Sequence, residues 1–174
     1  MNKLDKYRIG AQFENLIVQK ICTKLQTEHQ VFYNLKVYSY MLQKTTQVDI
    51  ILLTRFGIFV IEAKNFKSKL KGNYSDRMWT GNSGRYYTKI INPVLQNRMH
   101  IRAIKRAMRC YTPNIPLIQS FIVIPNDCKY EGNCKEVVTI SELFTELQHL
   151  SVIREKYINM NKMKRIIRNM EERV

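Results

Sequence analysis

Apolar residues recur at helical spacing near the start of the chain. From about Asp5 to Lys24 they define one face of a helix, and they are Ile9, Phe13, Leu16, Ile17, Ile21 and Leu25. This pattern predicts an amphipathic first helix. Residues 31–40, VFYNLKVYSY, are rich in β-branched and aromatic side chains and predict a strand, and residues 41–47 predict a loop.

Two short apolar runs follow, residues 48–53 and 58–64, with Thr54 to Gly57 between them. They predict a β-hairpin in which Gly57 supplies the turn conformation. Because both runs are apolar almost throughout, they indicate strands that are buried on both faces and covered by helices. Residues 73–88 predict a further small hairpin. Its turn is expected at Asn82-Ser83-Gly84 and its packing residues are expected to be Trp79, Tyr86 and Tyr87.

A helix-start signal stands at Asn92-Pro93, because asparagine caps unpaired amides and proline fits the first helical position. The helix is predicted to end near Arg109, and residues 115–124 and 137–140 predict two further strands. The order helix, three strands, helix, strand (αβββαβ) predicts a mixed α/β layer fold.

The C-terminal part of the chain predicts two more helices. Thr139 with Glu142 resembles a capping box for a helix at about residues 141–150, and a basic helix is predicted over 152–172. With 174 residues the chain is expected to form one domain. We therefore divide it into an α/β domain at 1–150 and a basic C-terminal helix at 151–174 that packs on or extends the same domain.

The charge composition adds a prediction about what the chain binds. Lys and Arg number 29 against 14 Asp and Glu, which leaves a formal net charge of +15. Such a charge favours a polyanion, and nucleic acid is the usual one, although a generic basic surface is the alternative. The four cysteines form no C-x-x-C pair and predict reduced thiols in a cytoplasmic protein. No signal peptide or membrane segment is indicated.

Three charges stand in the buried hairpin, Asp49, Glu62 and Lys64. Strand alternation places Glu62 and Lys64 on one face, and hairpin pairing brings Asp49 close to Glu62. Two neighbouring carboxylates repel each other, so a cation is expected, either Lys64 or a divalent ion such as Mg²⁺ or Mn²⁺. Such a group fits phosphodiester hydrolysis. The alternative is a turn cap beside a solvated ion pair, worth only about 0–1 kcal/mol.

Several ordered motifs support a family resemblance over residues 8–110. They are Gly10 and Glu14, Val48-Asp49, Glu62-Ala63-Lys64-Asn65, Gly72, Trp79, and Asn92-Pro93-Val94-Leu95-Gln96. This set resembles the nuclease-related domain (NERD) family, a branch of the PD-(D/E)-x-K restriction-endonuclease-like superfamily. Phe13 and Ala63 depart from the glycine and valine that the family usually has there.

The resemblance implies a restriction-endonuclease-like core, in which helices flank a mixed central sheet, with a C-terminal helical extension. It also implies a metal-dependent nuclease that uses Mg²⁺ or Mn²⁺ and acts on nucleic acid, with DNA favoured over RNA as the substrate. Asp49 and Glu62 match the family's metal-binding carboxylates and Lys64 its catalytic lysine. Glu14 matches the helix glutamate that completes the site, and Gln96 the glutamine that positions water or substrate. Without the resemblance, Glu14 is interpreted as a solvated helix residue and Gln96 as an ordinary residue of the first helical turn.

Basic residues follow one face of the second helix at spacings of three and four. We predict that this basic ridge binds nucleic acid, and its members are Arg98, Arg102, Lys105, Arg106 and Arg109. A second basic set in the last helix more simply forms a solvated face. Its members are Arg154, Lys156, Lys162, Lys164, Arg165 and Arg168.

Two other functions remain open at this stage. One is a nucleic-acid-binding module that does not cut and serves a partner in DNA repair, defence or plasmid maintenance. The other is a protein-interaction domain whose final helix docks a partner. A homodimer is compatible with each function.

Overall fold

Two β-sheets and four helices make up the part of the chain that the computed structural model describes, residues 3–39, 43–83, 86–154 and 157–171. The first half contains α1 (Lys3–Lys24), β1 (His29–Ser39), β2 (Lys44–Thr54), β3 (Gly57–Ala63), β4 (Lys69–Lys71), β5 (Met78–Ser83) and β6 (Tyr86–Ile91). The second half contains α2 (Pro93–Arg109), β7 (Ile118–Ile124), β8 (Lys129–Glu131), β9 (Val137–Thr139), α3 (Ile140–Ile153) and α4 (Met160–Glu171).

The larger sheet has the strand order β1-β2-β3-β7-β9. The first three strands pair antiparallel, whereas β7 pairs parallel with β3 and β9 parallel with β7, so the sheet is mixed. Apolar side chains from α2 and α4 cover one face, and those from α1 and α3 cover the other. The predicted αβββαβ core with helices on both faces is confirmed, and so is the C-terminal helix. The fold is that of a restriction-endonuclease-like core.

A smaller sheet of order β6-β5-β4-β8 was predicted only as the β5–β6 hairpin. Trp79 is buried as expected, stacks on Tyr130 at 5.5 Å and donates its indole N–H to the Asn73 carbonyl at 2.9 Å. Tyr87 is 74% exposed, so its assignment to packing is wrong. Asn82 and Ser83 are strand residues rather than turn residues, and Gly84 and the Tyr86 side chain lie outside the described parts.

Element boundaries differ from the prediction where long-range pairing decides them. β2 begins at Lys44 because residues 44–47 pair with β1, so the loop predicted for 41–47 is wrong over these four; 41 and 42 lie outside the described residues. β7 begins at Ile118 rather than at 115. Leu16 is 40% exposed and does not join the buried stripe of α1.

The last helix is shorter than predicted. α3 continues to Ile153 and α4 begins only at Met160, and the residues just before α4 dock on the β2–β3 turn. There the Ile158 amide donates to the Arg55 carbonyl at 2.6 Å. The apolar face of α4 packs against the larger sheet and α2. Because this chain itself covers the apolar face of α4, that face is not available to dock a partner.

Arg154 anchors the C-terminal end of α3 to the larger sheet. Its guanidinium lies 5.5 Å from the centre of the Phe59 ring, donates to the Phe56 carbonyl at 3.0 Å, and donates to Gln119 Oε1 at 2.6 Å. Arg154 therefore does not belong to a solvated basic face. Gly57 pairs with Thr54 inside the sheet without a positive φ, so its predicted role as the turn conformer is wrong. It is needed for space, since a Cβ there would collide with the Arg154 guanidinium.

We expect Gly57→Ala to lower the free energy of unfolding by about 1–3 kcal/mol, because overpacking displaces Arg154 from its two acceptors. Urea unfolding measures this change. Gly10→Ala is the matched control, since its Cβ would meet nothing within 4 Å and alanine stabilises a helix by about 0.5–1 kcal/mol over glycine. Equal effects of the two substitutions would contradict the steric account.

Of the helices within the described ranges, none combines the length and the apolar character needed to cross a membrane. The four cysteines are free thiols, as predicted; Cys22 and Cys110 are exposed, and Cys128 and Cys134 are buried.

Candidate active site

The β2–β3 hairpin brings Asp49 to the end of β3. Regular pairing runs as far as Ile50 opposite Ile61. Beyond it, the Asp49 carboxylate accepts the Ala63 backbone N–H at 2.9 Å. The side chain therefore satisfies a backbone donor at the end of the antiparallel pairing, which fixes the carboxylate beside Glu62.

The alternation of faces breaks at Asp49. Val48 belongs to the same core as Ile51, although strict alternation would place it on the opposite face. Opposite Asp49 on β1, Asn34 has a φ of 55°, a left-handed conformation that asparagine tolerates better than most residues. This paired irregularity explains why Asp49 lies at the sheet end rather than inside either core.

Glu62 is the most deeply buried charged group of the site, with a side chain only 1% exposed. Its Oε1 accepts from Lys64 Nζ at 2.5 Å, and the Lys64 backbone N–H donates to the Val123 carbonyl at 2.9 Å. Burial alone would raise the pKa of Glu62, but the attraction of Lys64, together with His100, outweighs burial and lowers that pKa. The same pairing raises the pKa of Lys64 although burial opposes it. Both groups are therefore held in their charged forms.

Glu14 and Asp49 are in the opposite electrostatic situation. Burial, and then the charge of Glu62, raises the pKa of Glu14 and raises that of Asp49 to about 7. The Ala63 N–H and Lys64 act in the other direction on Asp49. Asn65 Nδ2 donates to the Ile9 carbonyl at 3.3 Å and so ties α1 to the loop after β3. Glu14 on α1 thus lies close enough to Glu62 and Lys64 for their charges to affect its pKa.

Gln96 reaches the site from the first turn of α2. Its Oε1 accepts from Lys64 Nζ at 3.5 Å. Asn92 caps this helix as predicted, because its Oδ1 accepts the amides of Val94 and Leu95 at 2.9 and 3.3 Å. All five predicted catalytic residues, which come from α1, the β2–β3 hairpin and α2, therefore meet at one end of the larger sheet.

Asn97 joins α2 to the sheet beneath this site. It is fully buried, and its Nδ2 donates to the Val60 carbonyl at 2.8 Å, Ser120 Oγ at 2.9 Å and the Phe121 carbonyl at 3.3 Å. One amide group on α2 thus contacts both β3 and β7.

His100 is a site residue that the sequence reasoning missed. Its side chain is 4% exposed, and its Nε2 lies 3.4 Å from Glu62 Oε2. Its Nδ1 lies 3.0 Å from the Thr46 hydroxyl oxygen. A signal was present, because His100 follows Gln96 by four residues and so lies on the same face of α2.

The basic ridge divides into two parts. A groove of about 620 Å³ beside α2 is lined by Arg102, Lys105, Arg106 and Arg109, together with Ser39, Met99 and Ala103. Arg98 lies instead 5.2 Å from the centre of the Tyr74 ring. In the second basic set, Lys162, Arg165 and Arg168 are exposed and Lys164 is half-buried, and Lys156 lies outside the described residues.

The donor set at the site suits a hard divalent cation. Within the described ranges no three His, Cys, Asp or Glu side chains lie close enough together to bind one ion. Asp49 and Glu62 nevertheless supply two neighbouring carboxylates, and Mg²⁺ is commonly held by one or two carboxylates with water completing its shell. Their mutual repulsion is the kind that a cation relieves.

The fold and these residues define a nuclease-related protein. The model of the nuclease-related domain (NERD) family matches residues 9–125, and the chain belongs to this family. It is also similar to an uncharacterized protein of Bacillus anthracis, with 31% identity over 102 residues, 58% of this chain and 48% of that protein. The chain thus spans about half of the length of this relative. No solved structure matches the chain.

Proposed function

We propose that the chain is a metal-dependent nuclease that hydrolyses phosphodiester bonds of nucleic acid, with DNA as the first candidate substrate. The observation that supports this proposal is the meeting of Glu14, Asp49, Glu62, Lys64 and Gln96 at one sheet end. Three separate segments supply these side chains. A solvated surface ion pair would require neither the burial of Glu62 nor three carboxylates whose charges all act on one lysine.

Each side chain has a role that its contacts support. Asp49 and Glu62 would hold Mg²⁺ or Mn²⁺, which when bound polarises a phosphoryl oxygen and lowers the pKa of water. Lys64 has three donors, and beyond Glu62 and Gln96 it can donate to an oxygen on which negative charge develops. Gln96 and Glu14 flank the lysine and the carboxylates, where they can orient the attacking water.

Incubating supercoiled plasmid DNA with the protein tests the proposal. We expect nicking in Mg²⁺ or Mn²⁺, none in EDTA, and none by Asp49→Ala. Asp127→Ala is the control, because Asp127 is an exposed aspartate of the β7–β8 loop. The proposal fails if no DNA or RNA is cut in any metal and Asp49→Ala behaves like the wild type.

A nucleic-acid-binding module that does not cut is the second candidate, and one observation favours it. The Glu62 carboxylate already faces Lys64 and His100, so its charge is balanced within the protein. This function requires salt-sensitive binding that needs no metal and survives Lys64→Ala. Cleavage that is lost in Lys64→Ala while binding persists would instead assign the lysine to the reaction.

We expect the groove beside α2 to contact the phosphate backbone. Replacing both Arg102 and Arg109 with glutamate should weaken DNA binding at least tenfold and lower the slope of log affinity against log salt by about 2. The matched control replaces Arg165 and Arg168 on α4 with glutamate, which changes the net charge equally. Fluorescence anisotropy over a salt series measures both. Equal losses in the two double variants would show that only net charge matters.

A further inference from the structure

Two buried polar atoms face each other at the site without a hydrogen bond. They are Glu62 Oε2 and His100 Nε2, and each is shielded from solvent. Their separation of 3.4 Å is within ion-pair range but is longer than a formed N–H···O bond. Buried polar atoms in native proteins nearly always have partners, so this pair calls for an explanation.

The neighbouring groups determine which ring nitrogen of His100 carries the hydrogen. An ionised carboxylate only accepts, so the nitrogen facing Glu62 must carry a hydrogen. In a neutral ring the other nitrogen, Nδ1, then accepts, and the Thr46 hydroxyl 3.0 Å away can donate to it. The donors and acceptors are thus aligned in one direction, from the Thr46 hydroxyl on β2 through His100 on α2 to Glu62 on β3.

We propose that His100 is a positioning residue of the nuclease site, which holds Glu62 Oε2 while Lys64 holds Oε1. This inference rests on the proposed function. With a partner on each oxygen, the plane of the carboxylate is fixed, and each oxygen keeps a further lone pair for an ion. At 3.4 Å, His100 Nε2 is close enough to Glu62 Oε2 for a small side-chain movement to form the hydrogen bond.

The placement of His100 in α2 gives this role a mechanical basis. Gln96 and His100 are one helical turn apart, so the same face of one helix contacts Lys64 and Glu62. Asn97 lies between them and bonds to the sheet, so the stretch of helix that carries both side chains is held against β3. Both members of the Glu62–Lys64 pair thereby have a neighbour on the same helix, Gln96 beside Lys64 and His100 beside Glu62.

The test combines four variants with Mn²⁺ affinity measured by calorimetry on the full chain. We expect His100→Leu to weaken Mn²⁺ binding by about 10–100-fold, the range found for partners of metal ligands. His100→Gln keeps a terminal N–H donor and should recover most of the affinity. His149→Leu, an exposed histidine on α3, should bind as the wild type does. Thr46→Val should shift the affinity in the direction of His100→Leu by a smaller factor, and it serves if His100→Leu fails to fold.

A second readout does not depend on metal or on cleavage. The chain has three histidines, so ¹⁵N spectra of histidine-labelled protein resolve the ring nitrogens, and His100→Gln assigns them. We expect a proton on His100 Nε2. An unprotonated Nε2, or a folded His100→Leu variant with wild-type affinity for Mn²⁺, would overturn the role of His100. Failure of the wild type to bind Mn²⁺ or to cut would instead remove the proposed function, and this role with it.

Discussion

Replacing Lys64 with methionine is expected to abolish metal-dependent cleavage and to lower the free energy of unfolding by about 3–5 kcal/mol at pH 8. Methionine keeps an unbranched apolar stem but leaves the buried Glu62 carboxylate without its 2.5 Å partner. A charge buried without compensation is costly, and at low pH Glu62 can take up a proton instead. The stability loss should therefore be smaller at pH 4 than at pH 8.

Urea unfolding and plasmid nicking measure the two effects. Lys67→Met is the matched control, because Lys67 is exposed and lies three residues further along the same loop. Full stability in Lys64→Met would show that Lys64 is not needed to compensate the buried charge of Glu62. Residual cleavage near the wild-type rate would remove Lys64 from the reaction.

Asp49→Asn is expected to abolish cleavage as well, but to raise stability at pH 8. The pKa of Asp49 rises from an ordinary 3.8 to about 7 on folding, so the unfolded chain releases this proton at lower pH than the folded protein does. Stability therefore falls as the pH rises from about 4 to about 7 and stays lower above that range. Asparagine cannot ionise and still accepts the Ala63 N–H, so the variant avoids this loss.

The gain should be about 1–3 kcal/mol above pH 7, because the full shift corresponds to about 4 kcal/mol and residual solvent reduces it. It should be much smaller at pH 4, where the folded protein holds this proton and the unfolded chain, with a pKa of 3.8, still holds part of it. Denaturant unfolding at the two pH values measures it. A destabilised Asp49→Asn at pH 8 would contradict the repulsion between Asp49 and Glu62.

These two variants together separate function from folding. Both remove a charge from the same site, yet one is expected to destabilise the protein and the other to stabilise it. A purely structural ion cluster would give losses of stability in both. A gain in stability with a loss of cleavage is the trade-off between stability and activity that is expected where a reaction needs carboxylates that repel each other.

The sequence predicts the parts of the fold that short-range patterns decide. The β2–β3 hairpin follows from two apolar runs separated by a short turn, and its pairing brings Asp49 to Glu62 as expected. The Asn92 cap of α2 and the Thr139–Glu142 capping box follow from local hydrogen bonding and are present. Alternation along β3 also places Glu62 and Lys64 together.

The sequence does not predict what depends on distant partners. β4 and β8 are three residues each, too short to carry a pattern, and they become strands only by pairing with each other and with β5. The break in alternation at Asp49 involves Asn34, fifteen residues away on the neighbouring strand. The contact between His100 and Glu62 likewise spans two elements that only the folded sheet brings together.

Asn97 gives α2 a fixed angular setting. Successive residues of a helix are about 100° apart around its axis, so turning α2 by one residue would carry Gln96 and His100 away from Lys64 and Glu62. Apolar packing of Ala103, Ile104 and Met108 opposes a turn of this size, but it resists small rotations only weakly, since a slightly rotated helix still buries apolar side chains. The Asn97 Nδ2 lies within hydrogen-bonding distance of the Val60 carbonyl, Ser120 Oγ and the Phe121 carbonyl, and a rotated helix would lose these contacts. The direction in which Gln96 and His100 point is thereby set from inside the core, by a side chain that is itself fully buried.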